Sequence, residues 1–157
     1  MPVIVNNIEI TDEQVFAEMQ FHPAKTREEA IHLAAQALTI RELLLQEAVV
    51  KGYATASQNN ETEELEANDE RIEKLLIGEV KTPEPDEDSC RRFYENNKPK
   101  FIHEGEQISF EKAKPIIIEY LTDVSWHTAV SQYIKILAGR AKIAGVQLDF
   151  TDSPLVQ

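Results

Sequence analysis

The segment between Thr26 and Gly52 constrains the fold most, because its pattern predicts one long helix that is apolar on nearly all of its faces. Thr26 and Glu29 form a capping box, in which two side chains satisfy backbone amides at a helix start. Alanine and leucine then recur at helical spacing until Gly52, a residue typical of a helix end. Such a helix spans on the order of 39 Å. We therefore expect it at the centre of a mainly α-helical fold.

The remaining sequence brings the predicted total to about six helices. Thr11 and Gln14 form a second capping box, which begins a short helix. Two further helices are predicted over residues 61–80 and 86–95. We interpret Ser109 and Ser125 as the caps of two separate helices, with Pro115 inside the first and Gly145 ending the second.

A small antiparallel sheet is predicted to join the two ends of the chain. β-Branched residues on both sides of Asn6-Asn7 predict a hairpin, since asparagine tolerates the positive φ that a primed turn requires. Alternating residues over 146–150 predict a strand that pairs with this hairpin. We expect a single domain over residues 1–150, with a loop at 97–109 and a flexible tail at 151–157.

The charge excludes several kinds of partner. The chain contains 28 acidic and 16 basic residues, for a formal charge of −12. Nucleic acids and anionic membranes repel such a chain, so we expect neither as a partner. No apolar run is long enough to span a membrane. One cysteine and the lack of a basic, apolar leader predict a cytoplasmic location.

No sequence motif predicts catalysis, a metal or a cofactor, so we expect none of the three. Cys90 is the one candidate nucleophile. Arg91 and Arg92 favour its thiolate, whereas the acids at 86–88 oppose it, and its spacing with nearby aromatic residues favours a buried apolar role. The histidines do not have ligand spacing and are expected at the surface or as caps: His22, His32, His103 and His127.

Four stretches, in this order, carry a resemblance to a known family: Val5–Ile10, Ala37–Gly52, Glu79–Glu95 and Ala129–Leu148. Together they resemble the parvulin-type foldases with a helical chaperone region, which include the periplasmic survival chaperone and the nitrogen-fixation maturation isomerase. The resemblance implies a helical chaperone scaffold. Those foldases carry an isomerase domain where this chain has only residues 102–109. The resemblance therefore implies neither the isomerase activity nor its catalytic residues here.

We expect a non-catalytic, chaperone-like module that binds non-native or newly made polypeptide. Exposed apolar side chains rimmed by acids would hold the client loosely and keep the complex soluble. The alternative is a dimerising adaptor for one specific partner, because a second copy could cover the long apolar helix. A peptidyl-prolyl isomerase is a third, weaker hypothesis. The residues expected to contact a client, unless they form the core, are Phe16, Met19, Phe21, Phe93, Tyr94 and Phe101.

Overall fold

The computed structural model describes residues 2–53 and 61–148, with the backbone alone for 61–66. The fold is mainly helical with a small antiparallel sheet, as predicted. Packing divides the described residues into two compact units: unit 1 falls within residues 1–80 and 130–157, and unit 2 is residues 81–129. The single domain predicted over 1–150 stays a prediction. The predictions for residues 54–60 and for the tail at 151–157 lie outside the described residues.

Five α-helices and five strands are present in the described residues, together with two short 3-10 turns. The helices are α1 (Asp12–Glu18), α2 (Arg27–Val50), α3 (Glu61–Glu79), α4 (Glu87–Asn96) and α5 (Phe110–Arg140). The strands are β1 (Val3–Val5), β2 (Ile8–Ile10), β3 (Ile102–His103), β4 (Glu106–Gln107) and β5 (Ile143–Ala144), and the 3-10 turns are Met19–Phe21 and Lys98–Lys100.

The predicted hairpin is confirmed in unit 1. β1 and β2 pair antiparallel, with Val3 opposite Ile10. The turn residues Asn6 and Asn7 have φ of 49° and 72°, as a primed turn requires. The hairpin buries apolar side chains in a cluster that includes Leu43 of α2. The sheet therefore gains the helical support that so small a hairpin needs.

The third strand of this sheet is not where the sequence predicted it. β5 pairs with β1, with Ile4 opposite Ala144, whereas residues 146–148 are not in a strand and 149–150 lie outside the described residues. Gly145 has φ of +87°, and a Cβ there would lie 2.4 Å from the Pro2 carbonyl oxygen. Gly145 follows β5 and permits the backbone to approach β1 closely. It does not end a helix, contrary to the prediction. The predicted pairing of the two ends is correct, but it begins earlier in the chain.

The long helix α2 lies at the centre of unit 1, as predicted. Thr26 caps it by accepting a hydrogen bond from the Glu29 amide at 3.1 Å. α1, α3 and β1 all contact α2. Ile40 and Leu44 are completely buried as a result. Elements of the same chain cover most of the apolar surface of α2, whereas Val49 and Val50 at its C-terminal end are exposed.

Unit 2 is built on a cluster of aromatic side chains. Asp86 caps α4 by accepting a hydrogen bond from the Ser89 amide at 2.7 Å, and this bond lowers the pKa of the Asp86 carboxyl. The predicted loop at 97–109 contains the ribbon β3–β4, whose tight turn has Glu104 and Gly105 at positive φ. The Gln107 amide holds the ribbon in place by donating to the Phe101 carbonyl at 3.0 Å.

The two helices predicted after Ser109 are one continuous helix, α5. Ser125 does not begin a second helix, because nothing near it breaks the backbone hydrogen bonding and serine is tolerated in helix interiors. Pro115 lies near the start of α5 and does not end it. This continuity explains why five described α-helices replace the predicted six. None of the described helices has the combination of length and apolar character that crossing a membrane would need.

Candidate functional site

An open groove of about 790 Å³ lies within unit 2. One lining residue comes from the segment before α4 and the others come from α5. The lining residues are Thr82, Ile116, Glu119, Tyr120, Thr122, Asp123 and Trp126.

The apolar part of this groove is a row of side chains on α5. Ile116 and Tyr120 are four residues apart, so they lie on one face of the helix, and Val124 continues the row beyond the residues that line the groove. These three side chains are 59%, 52% and 45% exposed. The neighbouring face of the helix carries Ala113 and Ile117, which are completely buried. α5 therefore uses one apolar face for the core and leaves a second apolar face open.

Aromatic contacts fix one wall of the groove to the core of unit 2. The ring centroids of Tyr120 and Phe93 are 5.1 Å apart, and those of Phe93 and Phe101 are 6.2 Å apart. Phe101 is buried in the core. The Tyr120 ring is therefore supported on one side and open to solvent on the other.

The polar part of the groove is acidic. Glu119 and Asp123 are four residues apart on α5, on the same side as Ile116. Among the described residues that line the groove there is no lysine or arginine. His127 Nε2 lies 3.7 Å from Asp123 Oδ1 at the edge. The groove thus combines open apolar surface with negative charge.

The six residues predicted to bind a client are divided between the two units. In unit 2, Tyr94 and Phe101 are buried in the core, and the Tyr94 hydroxyl donates to the Ile108 carbonyl. They belong to the core, which the sequence left open as an alternative. Phe93 is partly buried, and its ring contacts that of Tyr120, which lines the groove.

The other three predicted residues lie in unit 1. Phe16 and Phe21 are 50% and 68% exposed, and the Arg27 guanidinium lies 5.6 Å from the centroid of the Phe16 ring. Met19 packs against the core of unit 1 instead. Phe16 and Phe21 are thus the two of the six predicted residues whose side chains are at least half exposed.

No sequence motif singled out the residues that line the groove, and the spacing of Tyr120 is that of a helix face that is usually core. Ile117 and Tyr120 share one predicted helix face, and Trp126 was assigned to a separate helix after Ser125. The signal that could have found the groove is the apolar run Ile116–Ile118. Three consecutive isoleucines point in different directions on a helix, so at least one must leave the buried face.

A second groove, of about 210 Å³, lies in unit 1. Two of its lining residues, Asn6 and Gln46, make hydrogen bonds that connect elements of this unit. Asn6 Nδ2 donates to Gln46 Oε1 at 2.9 Å, and Gln46 Nε2 donates to the Val5 carbonyl at 3.1 Å. Asn6 Oδ1 accepts from the Lys142 amide at 2.8 Å. These bonds join α2, the hairpin and the segment before β5. We assign this groove to the stability of the sheet.

The residues that could carry reactive chemistry are placed as follows. Cys90 is completely buried, as the apolar interpretation predicted. His22 Nε2 lies 2.8 Å from Glu18 Oε2, and the exposed His103 lies 3.9 Å from the Glu104 carboxylate. His32 is exposed on α2. Within the described part of the chain, no three of its histidine, cysteine and acidic side chains are grouped as a metal site would require.

Comparison with known proteins adds no family to this geometry, since no family model, no curated protein and no solved structure matches the chain.

Proposed function

We propose that the protein is a non-catalytic, chaperone-like module that holds non-native or newly made polypeptide in the groove of unit 2. The observation that carries the proposal is the open apolar row on α5, in which Ile116 and Tyr120 line the groove beside two carboxylates. A client that covers this row gains roughly 25 cal/mol for each Å² of apolar surface removed from water. A groove of this size accepts a few side chains, so each contact is weak and reversible.

The negative charge supports this proposal in a second way. A complex between such a module and an apolar, unfolded client tends to aggregate unless another property keeps it soluble. The formal charge of −12 makes such complexes repel one another. Apolar contact and charge repulsion together describe a holding function that needs no nucleotide.

The experiment is an aggregation assay with an unrelated, chemically denatured protein diluted to micromolar concentration. Ile116→Ser removes the most exposed part of the row, and Ile136→Ser is the matched control. Both isoleucines are on α5, with exposures of 59% and 57%, but Ile136 lies outside the groove. We expect Ile116→Ser to weaken client affinity by roughly threefold to tenfold, since part of one isoleucine's burial is lost. Equal behaviour of the two variants would contradict the proposal.

The adaptor hypothesis stays as the second candidate, but its original argument is weaker. That argument was an apolar central helix in need of a second copy, and most of the apolar surface of α2 is covered within its own chain. A measurement of mass in solution separates the two hypotheses. One chain per particle with broad suppression of aggregation supports the holding function. Two chains, no suppression and tight capture of one protein support the adaptor.

The family resemblance, the absence of catalysis and the cytoplasmic location stay predictions. An assay of proline isomerisation in a short peptide, with catalytic amounts of the protein, tests the second of these. A rate above that of buffer would make the chain an enzyme and would revise the proposal.

A further inference from the structure

The groove of unit 2 has a charge that the composition of the unit does not explain. Unit 2 has ten acidic and seven basic side chains, so it is close to balanced, and most of the chain's negative charge lies elsewhere. The described lining nevertheless contains Glu119 and Asp123 with no basic side chain. The groove is therefore more acidic than the unit that carries it.

The position of these carboxylates matters as much as their number. Residues 116, 119, 120 and 123 are spaced three and four apart, so they form one continuous face of α5. A segment lying along this face meets apolar and acidic side chains alternately. An acidic segment would be repelled, and an uncharged one would gain no charge attraction from the carboxylates.

Two aromatic rings strengthen the preference for a cation. Tyr120 and Trp126 both line the groove, and the faces of such rings attract lysine and arginine. A basic side chain in the groove can thus contact a carboxylate and a ring at the same time. Beyond the groove, the −12 charge of the chain attracts a positively charged segment over a distance set by the ionic strength.

We propose that the groove selects short polypeptide segments in which aliphatic side chains are interleaved with lysine or arginine. This inference rests on the proposed function and names its preferred client. Apolar contact with Ile116 and Tyr120 provides affinity. The carboxylates of Glu119 and Asp123 provide specificity for basic over acidic apolar segments. Acidic segments of equal apolar content are poor clients.

The experiment uses the full chain and three labelled twelve-residue peptides of alternating composition: leucine with lysine, leucine with glutamate, and serine with lysine. Trp126 is the only tryptophan of the chain and lies in the groove, so its fluorescence reports occupancy there. Anisotropy of the label reports binding anywhere on the protein. We expect the leucine–lysine peptide to bind at least about tenfold tighter than the other two, with a loss of affinity at high salt.

Two double variants separate the groove from the overall charge. Glu119→Lys with Asp123→Lys reverses the charge in the groove. Asp88→Lys with Glu111→Lys makes the same change of net charge at exposed positions of unit 2 outside the lining. We expect the first pair to lose the preference for the leucine–lysine peptide, or to transfer it to leucine–glutamate. The second pair should keep the preference.

Failure of this inference can be told apart from failure of the proposed function. Equal binding of leucine–lysine and leucine–glutamate, with aggregation still suppressed, overturns charge selection alone. Equal weakening by both double variants also overturns it, since net charge then suffices. No peptide binding and no suppression of aggregation overturn both. A dimer that Ile116→Ser converts to monomer overturns the inference in favour of a second copy as occupant.

Discussion

Unit 1 and unit 2 stabilise themselves with different side chains, and the difference explains where the candidate site lies. The core of unit 1 is aliphatic, and β1 and β5 bring together residues as distant as Ile4 and Ala144. The core of unit 2 is aromatic and comes from one continuous segment of the chain. Aromatic rings are large and flat, so a ring contact can extend from a buried cluster to the surface.

The ring contacts of unit 2 make this extension visible. Phe101 is buried, Phe93 is partly buried and Tyr120 is half exposed, and each contacts the next. A surface side chain that is held by a core has a defined position, which a binding site requires. The comparison therefore favours Tyr120 and its neighbours over Phe16 and Phe21 as the functional apolar surface.

The largest effects should come from core truncations that act on one unit at a time. Ile117→Ala in unit 2 and Leu44→Ala in unit 1 each remove a completely buried side chain. Each should cost about 2–5 kcal/mol in free energy of unfolding. Urea unfolding followed by Trp126 fluorescence reports on unit 2. We expect Ile117→Ala to lower the midpoint of this signal more than Leu44→Ala does.

The opposite result would break the comparison. If both truncations move the Trp126 transition and the helical circular dichroism by the same amount, the two units unfold together. That behaviour is what the single domain predicted over residues 1–150 requires. Distinct midpoints for the two signals would show that the units are separate in stability as well as in packing.

The next largest effect concerns the glycines at positive φ. Gly145→Ala places a Cβ against the Pro2 carbonyl where β1 meets β5, so it adds a clash to backbone strain. We expect a loss of roughly 2–3 kcal/mol in stability. Gly105→Ala, at the turn of β3–β4, has similar φ but nothing within 4 Å of the new Cβ. It should cost only about 1 kcal/mol.

Thermal unfolding of both glycine variants measures this difference. A cost for Gly105→Ala equal to that for Gly145→Ala would mean that strain alone determines both values. The close approach of β5 to β1 would then contribute nothing to unit 1.

Helix caps provide a smaller contrast, between α1 of unit 1 and α5 of unit 2. Thr11 and Gln14 form the full capping box in unit 1, with the Thr11 amide donating to Gln14 Oε1 at 2.8 Å. Ser109 of unit 2 accepts only a long bond of 3.4 Å from the Lys112 amide. Thr11→Ala should cost about 1 kcal/mol in stability, and Ser109→Ala should cost less. Chemical denaturation of both variants measures the two losses of free energy of unfolding. A greater loss for Ser109→Ala than for Thr11→Ala would contradict the prediction.

Local signals in the sequence predicted the parts of the fold that depend on neighbouring residues. The turn at Asn6-Asn7, the caps Thr11 and Thr26, and the central helix α2 were all correct because each depends on residues a few positions apart. The position of β5 was wrong, since it depends on how closely the backbone at Gly145 approaches Pro2. No spacing along the chain carries that distance.

The candidate site was less predictable than the fold for the same reason. Helical spacing grouped Cys90 with Tyr94 correctly on a buried face of α4. Helical spacing could not show which of the two apolar faces of α5 is buried, because this depends on the face against which α4 packs. Treating Ser125 as a cap further separated Trp126 from Tyr120. The groove therefore became visible only in the folded chain.

The smallest effects, and the sharpest contrast, come from removing one hydroxyl in each unit. The Tyr94 hydroxyl of unit 2 donates to the Ile108 carbonyl. The Tyr133 hydroxyl of unit 1 is buried, with no hydrogen-bond partner in the described residues. Tyr94→Phe should therefore cost about 1 kcal/mol, whereas Tyr133→Phe should be neutral or slightly stabilising. Urea unfolding at neutral pH measures both, and a clear loss for Tyr133→Phe would contradict the assignment.

The pH dependence gives Tyr133 an independent test. The pKa of Tyr133 is raised to about 12, chiefly by burial, with the nearby Glu47 and Glu79 carboxylates acting in the same direction. The unfolded chain loses this proton near its ordinary pKa of about 10 while the folded chain still holds it. Stability is therefore unaffected by this group below pH 10 and falls as the pH rises towards 12. Tyr133→Phe should flatten this fall, although Tyr53 will retain its own part, because the hydrogen bond it donates to Glu79 raises its pKa as well. An unchanged slope in the variant would show that the Tyr133 hydroxyl is ionised as readily in the folded chain as in the unfolded one.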